Sequence, residues 1–293
     1  NELGIYIHIP FCKSKCYYCD FNSYATKNEI IPAYYDALIR EIEYYNSIVN
    51  KNKYRVKSIF IGGGTPSFIS PEYIEKILKK CRNVFDVKEN AEITIEANPG
   101  TLSREKLDVY KDAGINRLSI GLQAWQDRLL KGIGRVHTCK EFIENLCAAK
   151  EAGFNNISVD LIFGLPGQSL KDWLDTLDNV TKLDVTHLSC YSLKVEEDTV
   201  LDRKIKNGEI DYPDEELDRE MYHNTIAILS GKGYIHYEIS NFSKPGFESR
   251  HNLIYWNVEP YIGIGAGAHS YFEGTRYNNE EFPESYISQI SKG

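Results

Sequence analysis

Cys12, Cys16 and Cys19 stand close together in IHIPFCKSKCYYCDF, at the spacing C-x3-C-x2-C. Three thiolates on one short loop can each hold one iron of a cubane 4Fe-4S cluster, whose usual protein ligands are cysteines. They leave the fourth iron open to a small chelating molecule. A tetrahedral zinc site generally takes four ligands as two spaced pairs. His8 is near enough to be a fourth ligand, but there is no second C-x2-C and no H-x3-H. A disulfide framework does not suit seven cysteines in a chain that opens on a strand-like GIYIHIP with no leader character. The spacing therefore reads as an iron–sulfur site.

A loop of this kind must be held by a scaffold, and the rest of the chain supplies one. Short β-branched runs predict strands over Gly4–Pro10, Val56–Ile61, Glu92–Ala97, Arg117–Leu122, Asn156–Phe163 and His187–Leu193. Between them, helical patterns cover Pro32–Val49, Pro71–Val84, Ser103–Ala113, Thr138–Ala152 and Ser169–Leu183, with proline opening the second, and Gly114 and Gly153 closing the third and fourth. Ser103 is placed to cap its helix, although Lys106 rather than an acid follows three residues on, so the capping box is incomplete. Six β-α steps with parallel-type strands predict an α/β protein, a partial (β/α)6 TIM-like barrel; an open parallel sheet is the alternative. A further helix is expected from Glu284 to Ile290.

In either architecture ligands bind at the carboxyl ends of the strands. Polar groups recur there. The cysteine loop follows the first strand, and Gly62-Gly63-Gly64-Thr65-Pro66-Ser67 follows the second. Three glycines let backbone donors and acceptors approach a ligand closely, which suits an amino-acid moiety; the lysine of a phosphate-binding loop is absent. Glu96 ends the third strand, where its carboxylate can accept from hydroxyls or an amine, and Gln123 ends the fourth. Asp160 interrupts an apolar run and should be buried or nearly so, which requires a partner; Arg135 is a candidate for that role, or for clamping a ligand carboxylate.

The chain has 293 residues and a formal net charge of −8, so it lacks the basic face that nucleic acid demands. No apolar run reaches the ~18 residues of a membrane-spanning helix. Reduced-looking cysteines point to the cytoplasm. Cys81, Cys139, Cys147 and Cys190 fit no ligand pattern and read as structural.

YIHIPFC-x3-C-x2-CDF, GGGTPS, E-x-NP, GLQ, GR-x-H and DLIFGLPGQ, in that order and across nearly all of the sequence, resemble the coproporphyrinogen dehydrogenase-like branch of the radical S-adenosylmethionine (SAM) superfamily. The resemblance implies a 4Fe-4S cluster on Cys12, Cys16 and Cys19, and SAM bound through Tyr6, Tyr18, Gly63, Gly64, Thr65, Glu96, Gln123, Arg135 and Asp160. The branch contains oxygen-independent coproporphyrinogen III oxidases and heme chaperones. The oxidases carry a further cysteine two residues after the third, where this chain has Phe21. The chaperones carry an H-N-x-x-Y-W motif thought to bind heme, and Arg250-His251-Asn252-Leu253-Ile254-Tyr255-Trp256 is similar to it. His251 offers an imidazole for iron, and Tyr255 and Trp256 an aromatic surface for a macrocycle; as plain residues they equally suit a core or an interface. Both signals imply a heme chaperone, with heme and heme-accepting apo-proteins as partners and peripheral membrane association through those acceptors. The alternative they leave is the oxidase, so enzymatic activity stays open. The organisation expected is a radical SAM barrel over residues 1–195 and an α+β extension over 196–293 that carries the H-N-x-x-Y-W motif. Relatives continue past that end with a smaller domain.

Overall fold

The computed structural model describes residues 1–212 and 214–292. Six strands follow one another across one sheet: β1 (Glu2–Ile9), β2 (Arg55–Gly63), β3 (Val87–Ala97), β4 (Arg117–Gln123), β5 (Ile157–Phe163) and β6 (His187–Ser192). All are parallel and each pairs with the next in sequence. Strand order that never reverses has no switch point, so the connecting helices share one face and the other face curls inward as a partial barrel. The helices are α1 (Ile31–Ile48), α2 (Pro71–Val84), α3 (Arg104–Asp112), α4 (Asp127–Gly132), α5 (Cys139–Glu151) and α6 (Leu170–Thr181).

Local chemistry sets these boundaries. Ser103 accepts from the Lys106 amide at the start of α3, the half-box that the sequence predicts. Full capping boxes, Thr138 with Glu141 and Ser169 with Asp172, open α5 and α6. The one-turn α4 is not announced by any periodicity, because six residues are too few to show one. Strand β3 begins five residues earlier than predicted, since Val87–Ala91 is polar on its exposed side and lacks a β-branched run.

Alternation along the strands separates two environments. Ile5, Ile7 and Ile9 of β1, Ile93 and Ile95 of β3, Leu118 and Ile120 of β4, and Val159 and Leu161 of β5 are buried beneath the helices. Their neighbours on the inner face are mostly polar. Trp173 of α6 is fully buried. It packs on Phe163 with ring centroids 5.4 Å apart and donates its indole N–H to Thr225 Oγ1 at 2.9 Å. Trp173→Ala is expected to cost about 3–5 kcal/mol through the cavity it leaves. A denaturant midpoint within error of the wild type would refute it.

The chain after residue 195 adds to both edges of the same sheet. Past α7 (Val200–Lys206) and α8 (Glu215–Gly231), the short β7 (Ile235–His236) and β8 (Asn241–Ser243) run antiparallel beside β6. The chain then crosses through α9 (Arg250–Trp256) to β9 (Tyr261–Ile264), which lies parallel to β1, and on to β10 (His269–Phe272) and β11 (Thr275–Asn278). The last helix, α10 (Pro283–Ser291), is the one expected near Glu284–Ile290. Among the described residues the sheet thus has eleven strands, in the order β11-β10-β9-β1-β2-β3-β4-β5-β6-β8-β7. No helix among the described residues is long and apolar enough to cross a membrane.

Candidate functional site

The cysteine loop is pinned at several points before any cofactor is considered. Cys12 N donates to Tyr24 O and Tyr24 N to Pro10 O, closing the loop at its base. The Lys15 ammonium bridges the carbonyls of Phe21 and Ser23. His8, just below, links Tyr6 Oη at 2.9 Å to Asn22 O at 2.8 Å. Asn22 in turn donates to Ala266 O in the turn after β9.

Each thiol meets a polar side chain. Thr65 Oγ1 donates to Cys12 Sγ at 3.5 Å, Arg135 Nη1 to Cys16 Sγ at 3.4 Å, and Ser23 Oγ lies 3.7 Å from Cys19 Sγ. Burial raises the Cys12 and Cys19 thiols, and the hydroxyls of Thr65 and Ser23 pull them back down. Two of these contacts join into a string: Arg135 Nη2 donates to Asn98 Oδ1 at 2.9 Å, and Asn98 Nδ2 to Thr65 Oγ1 at 2.8 Å. Cys16 and Cys12 are thereby connected through the ends of two strands. Asn98 belongs to the E-x-NP segment, but nothing in its spacing announces this bridging role.

The three cysteines open onto a cavity of about 460 Å³ at the carboxyl ends of the strands. Among the described residues, no three His, Cys, Asp or Glu side chains converge on a single metal position. A cubane takes one thiolate per iron, so its ligands line a wall rather than meet at a point. Gly64 fits such a wall: a Cβ there would lie 3.0 Å from Cys12 Sγ and 2.8 Å from Phe11 O. The donor set and the space suit a cluster with a small ligand beside it.

The cavity also gathers Tyr18, Gly63, Gly64, Thr65, Glu96, Gln123, Arg135 and Asp160. Tyr6 alone of the nine residues implied for SAM is not on its wall; its hydroxyl is turned to His8, and its ring lies against Phe60 and His251. Glu96 Oε2 accepts from Gly63 N at 3.0 Å. Burial raises its pKa to about 7, with Asp160 adding to the rise. Asp160 accepts from Ser119 Oγ at 3.0 Å and from Ser158. Burial raises this acid too, against the hydroxyls of Ser189 and Ser119. Hydroxyls, not Arg135, are its hydrogen-bond partners: the guanidinium is committed to Cys16, Asn98 and Gly121 O. Ser119, Tyr191 and Ser192 line the cavity as well, and only their alternation on β4 and β6 could have nominated them. Phe21 stands at the mouth, 63% exposed.

The H-N-x-x-Y-W residues lie elsewhere. Helix α9 packs on the early residues of β1 and β2: the His251 imidazole bonds Ser58 Oγ at 2.9 Å and lies beneath Gly4. Gly4 precedes Ile9 by five residues of extended chain, roughly 16 Å, so this helix sits at the amino ends of the strands and the cysteine loop at the carboxyl ends. His251 is 1% exposed, and its second nitrogen meets Tyr255 Oη at 2.8 Å. Burial lowers its pKa to about 3. Glu92 accepts from the backbone N–H groups of Arg250 and His251. In this arrangement neither imidazole nitrogen is free, and Tyr255 and Trp256 present 41% and 53% of their surfaces to solvent. Cys81 and Cys190 are buried, Cys139 is half-buried and Cys147 exposed.

Residues 6–180 match the model of the radical SAM superfamily. The heme chaperone HemW of Bacillus subtilis (strain 168) is 44% identical over 288 residues, spanning 98% of this chain and 76% of that protein. The heme chaperone HemW of Escherichia coli (strain K12) is 39% identical over 291 residues, spanning 99% and 73%. Among solved structures, the coproporphyrinogen III oxidase HemN from Escherichia coli, described as a radical SAM enzyme, superposes with a TM-score of 0.86 at 27% identity, covering 99% of this chain and 69% of that one.

Proposed function

We propose that this chain, which belongs to the radical SAM superfamily and to its HemN/HemW branch, is a heme chaperone that carries a 4Fe-4S cluster and SAM, binds heme and passes it to acceptor proteins. The observation that carries this reading is the 44% identity to a heme chaperone across 98% of the chain. Phe21 at the cavity mouth agrees with it, since the oxidases place a cysteine there.

Cys12, Cys16 and Cys19 would hold the cluster, whose chemistry is the delivery of one electron to the sulfonium of SAM. The residues around it have separable tasks. The backbone of Gly63 and Gly64 leaves room for an amino-acid moiety. Glu96 and Asp160 accept hydrogen bonds from hydroxyl or amine donors. Arg135 orders the loop through Cys16 and Asn98. Heme would meet the exposed faces of Tyr255 and Trp256. Iron ligation by His251 requires the Tyr255 hydroxyl to leave its nitrogen first.

His251→Ala is expected to weaken hemin binding about tenfold, equivalent to 1.4 kcal/mol, and to leave cluster absorbance intact, because the two places lie at opposite ends of the strands. Unchanged hemin affinity would move the heme site away from α9.

A second reading is the oxidase, favoured by the fold match to HemN. One assay separates the two. With SAM, a low-potential reductant and coproporphyrinogen III, the chaperone reading expects 5′-deoxyadenosine and no protoporphyrinogen IX, and then transfer of bound hemin to an apo-hemoprotein. Stoichiometric formation of both products would establish the oxidase.

A further inference from the structure

The inner face of the barrel is polar well below the cavity. Along β3 it carries Glu92, Thr94 and Glu96; along β4, Arg117 and Ser119; along β5, Ser158 and Asp160; along β6, His187 and Ser189. Thr94 pairs with Arg117, and Glu96 with Ser119 one layer higher. Arg117 is 2% exposed. Its Nε has no hydrogen-bond partner, and neither does the buried Oγ1 of Thr94 opposite. Among the described residues, Arg117 makes no ion pair. A guanidinium so nearly removed from water, with no ion pair, is costly by several kcal/mol, so its charge must be balanced at longer range. Two half-buried carboxyl groups stand above it on the same face, Glu96 one layer higher and Asp160, paired with Gly121, two layers higher.

We propose that Arg117 is a positioning residue for SAM binding: from beneath the cavity, without touching the ligand, its charge holds Glu96 and Asp160 as carboxylates able to accept the ligand's hydroxyl or amine donors. This rests on the SAM reading above. Burial pushes both acids upward, and Arg117 opposes the rise in each. The Gly63 N–H also lowers Glu96, and the Ser189, Ser119 and Ser158 hydroxyls lower Asp160, but these carry no charge, and the titratable and charged groups facing the pair do not replace Arg117. From β1, Tyr6 is raised and His8 lowered by burial. His187 of β6 is lowered by burial, and Tyr191 is raised. His251 of α9 is pushed down to about 3, and Tyr255 beside it is raised. Tyr237, against His187, is raised, and Glu238 takes Ser240 N and the Asn241 amide. Glu92 is occupied by the amides of α9. Tyr18 on the cluster loop is raised as well. Arg135 is the other cation facing the pair, and it is engaged with Cys16, Asn98 and Gly121.

The sign follows directly. An acceptor that must be ionised loses ligand as pH falls through its pKa, and removing a nearby cation raises that pKa. The test is SAM affinity between pH 6 and 9, measured anaerobically by calorimetry on the reconstituted full chain, for wild type, Arg117→Gln, Arg117→Lys and Glu96→Gln. Wild-type affinity is expected to fall below about pH 7, the Glu96 value. In Arg117→Gln the profile should move up by about one pH unit, leaving SAM about fivefold weaker at pH 7 and nearly recovered at pH 9. Arg117→Lys should stay close to wild type, and Glu96→Gln should lose the titration. An unshifted profile in Arg117→Gln, or an equal shift in Arg117→Lys, overturns the proposal. If Arg117→Gln does not fold, Arg117→Met is read in its place by infrared titration of the Glu96 carboxyl: an upward shift from wild type supports the proposal, and an unshifted titration overturns it. No SAM binding by wild type at any pH would instead remove the SAM reading itself.

Discussion

Cys16→Ser is expected to abolish the iron–sulfur absorbance near roughly 400 nm and the bound iron of the anaerobically reconstituted protein. A thiolate is the ligand the iron selects, and serine presents a harder oxygen that stays protonated at neutral pH. The loss goes beyond one bond. Cys16 Sγ is the end of the string that runs through Arg135 and Asn98 to Thr65 and Cys12, so removing it takes one partner from the half-buried Arg135 guanidinium as well as the proposed iron ligand. Cys147→Ser, at an exposed position away from the cavity, is the control and should change nothing. Retention of a full-strength cluster in Cys16→Ser would sink the ligand assignment.

Gly63→Ala should be nearly as damaging. Gly63 adopts φ +113°, a region that costs an alanine about 1–3 kcal/mol. An added Cβ would also lie 2.5 Å from His8 Cε1 and Nδ1. His8 cannot step aside cheaply, because Tyr6 Oη and Asn22 O hold its two nitrogens, and Asn22 holds the cysteine loop. The substitution therefore strains the strand end and displaces the loop that His8 and Asn22 hold. SAM affinity is expected to fall at least ~10-fold, or 1.4 kcal/mol, with reduced cluster occupancy. Gly132→Ala, in α4 with nothing within 4 Å of the added carbon, is the matched control. Equal SAM affinity in the two variants would show that the glycine loop does not shape the site.

Much of the scaffold is legible in the chain because its signals are local. Thr138 and Glu141, three residues apart, cap one helix without help from the rest of the fold. The six parallel strands follow from β-branched runs of ordinary length, and their in-order pairing follows from short right-handed connections. Strand-end residues are legible too: once the strands are known, Glu96, Gln123 and Asp160 must lie at the same end of the sheet, and the cavity gathers all three.

What lies two or more residues below those ends is harder to read. Arg117 opens a strand and looks like a solvated first residue, yet it is among the largest fully buried side chains. The alternation Glu92-x-Thr94-x-Glu96 beside Arg117-x-Ser119 marks a polar face, but whether that face meets water or the inside of a barrel depends on how the sheet curves. Tyr6 shows the same limit: its place in the motif suggests a ligand contact, and its register on β1 puts its hydroxyl on His8 instead.

By itself, then, the sequence determined that Cys12, Cys16 and Cys19 share one short loop, because three thiols within eight residues need no distant partner to bring them together. It also determined the order of the strands that present the glycines and carboxyl groups. Only the tertiary structure decided that His251 is a buried imidazole bonded to Ser58 and Tyr255 at the far end of the barrel, and that Arg117 stands alone beneath two acids. Those positions are set by pairings between residues tens to nearly two hundred places apart, such as Ser58 with His251 and Ser119 with Asp160. Burial and electrostatics depend on such pairings, and no local pattern encodes them.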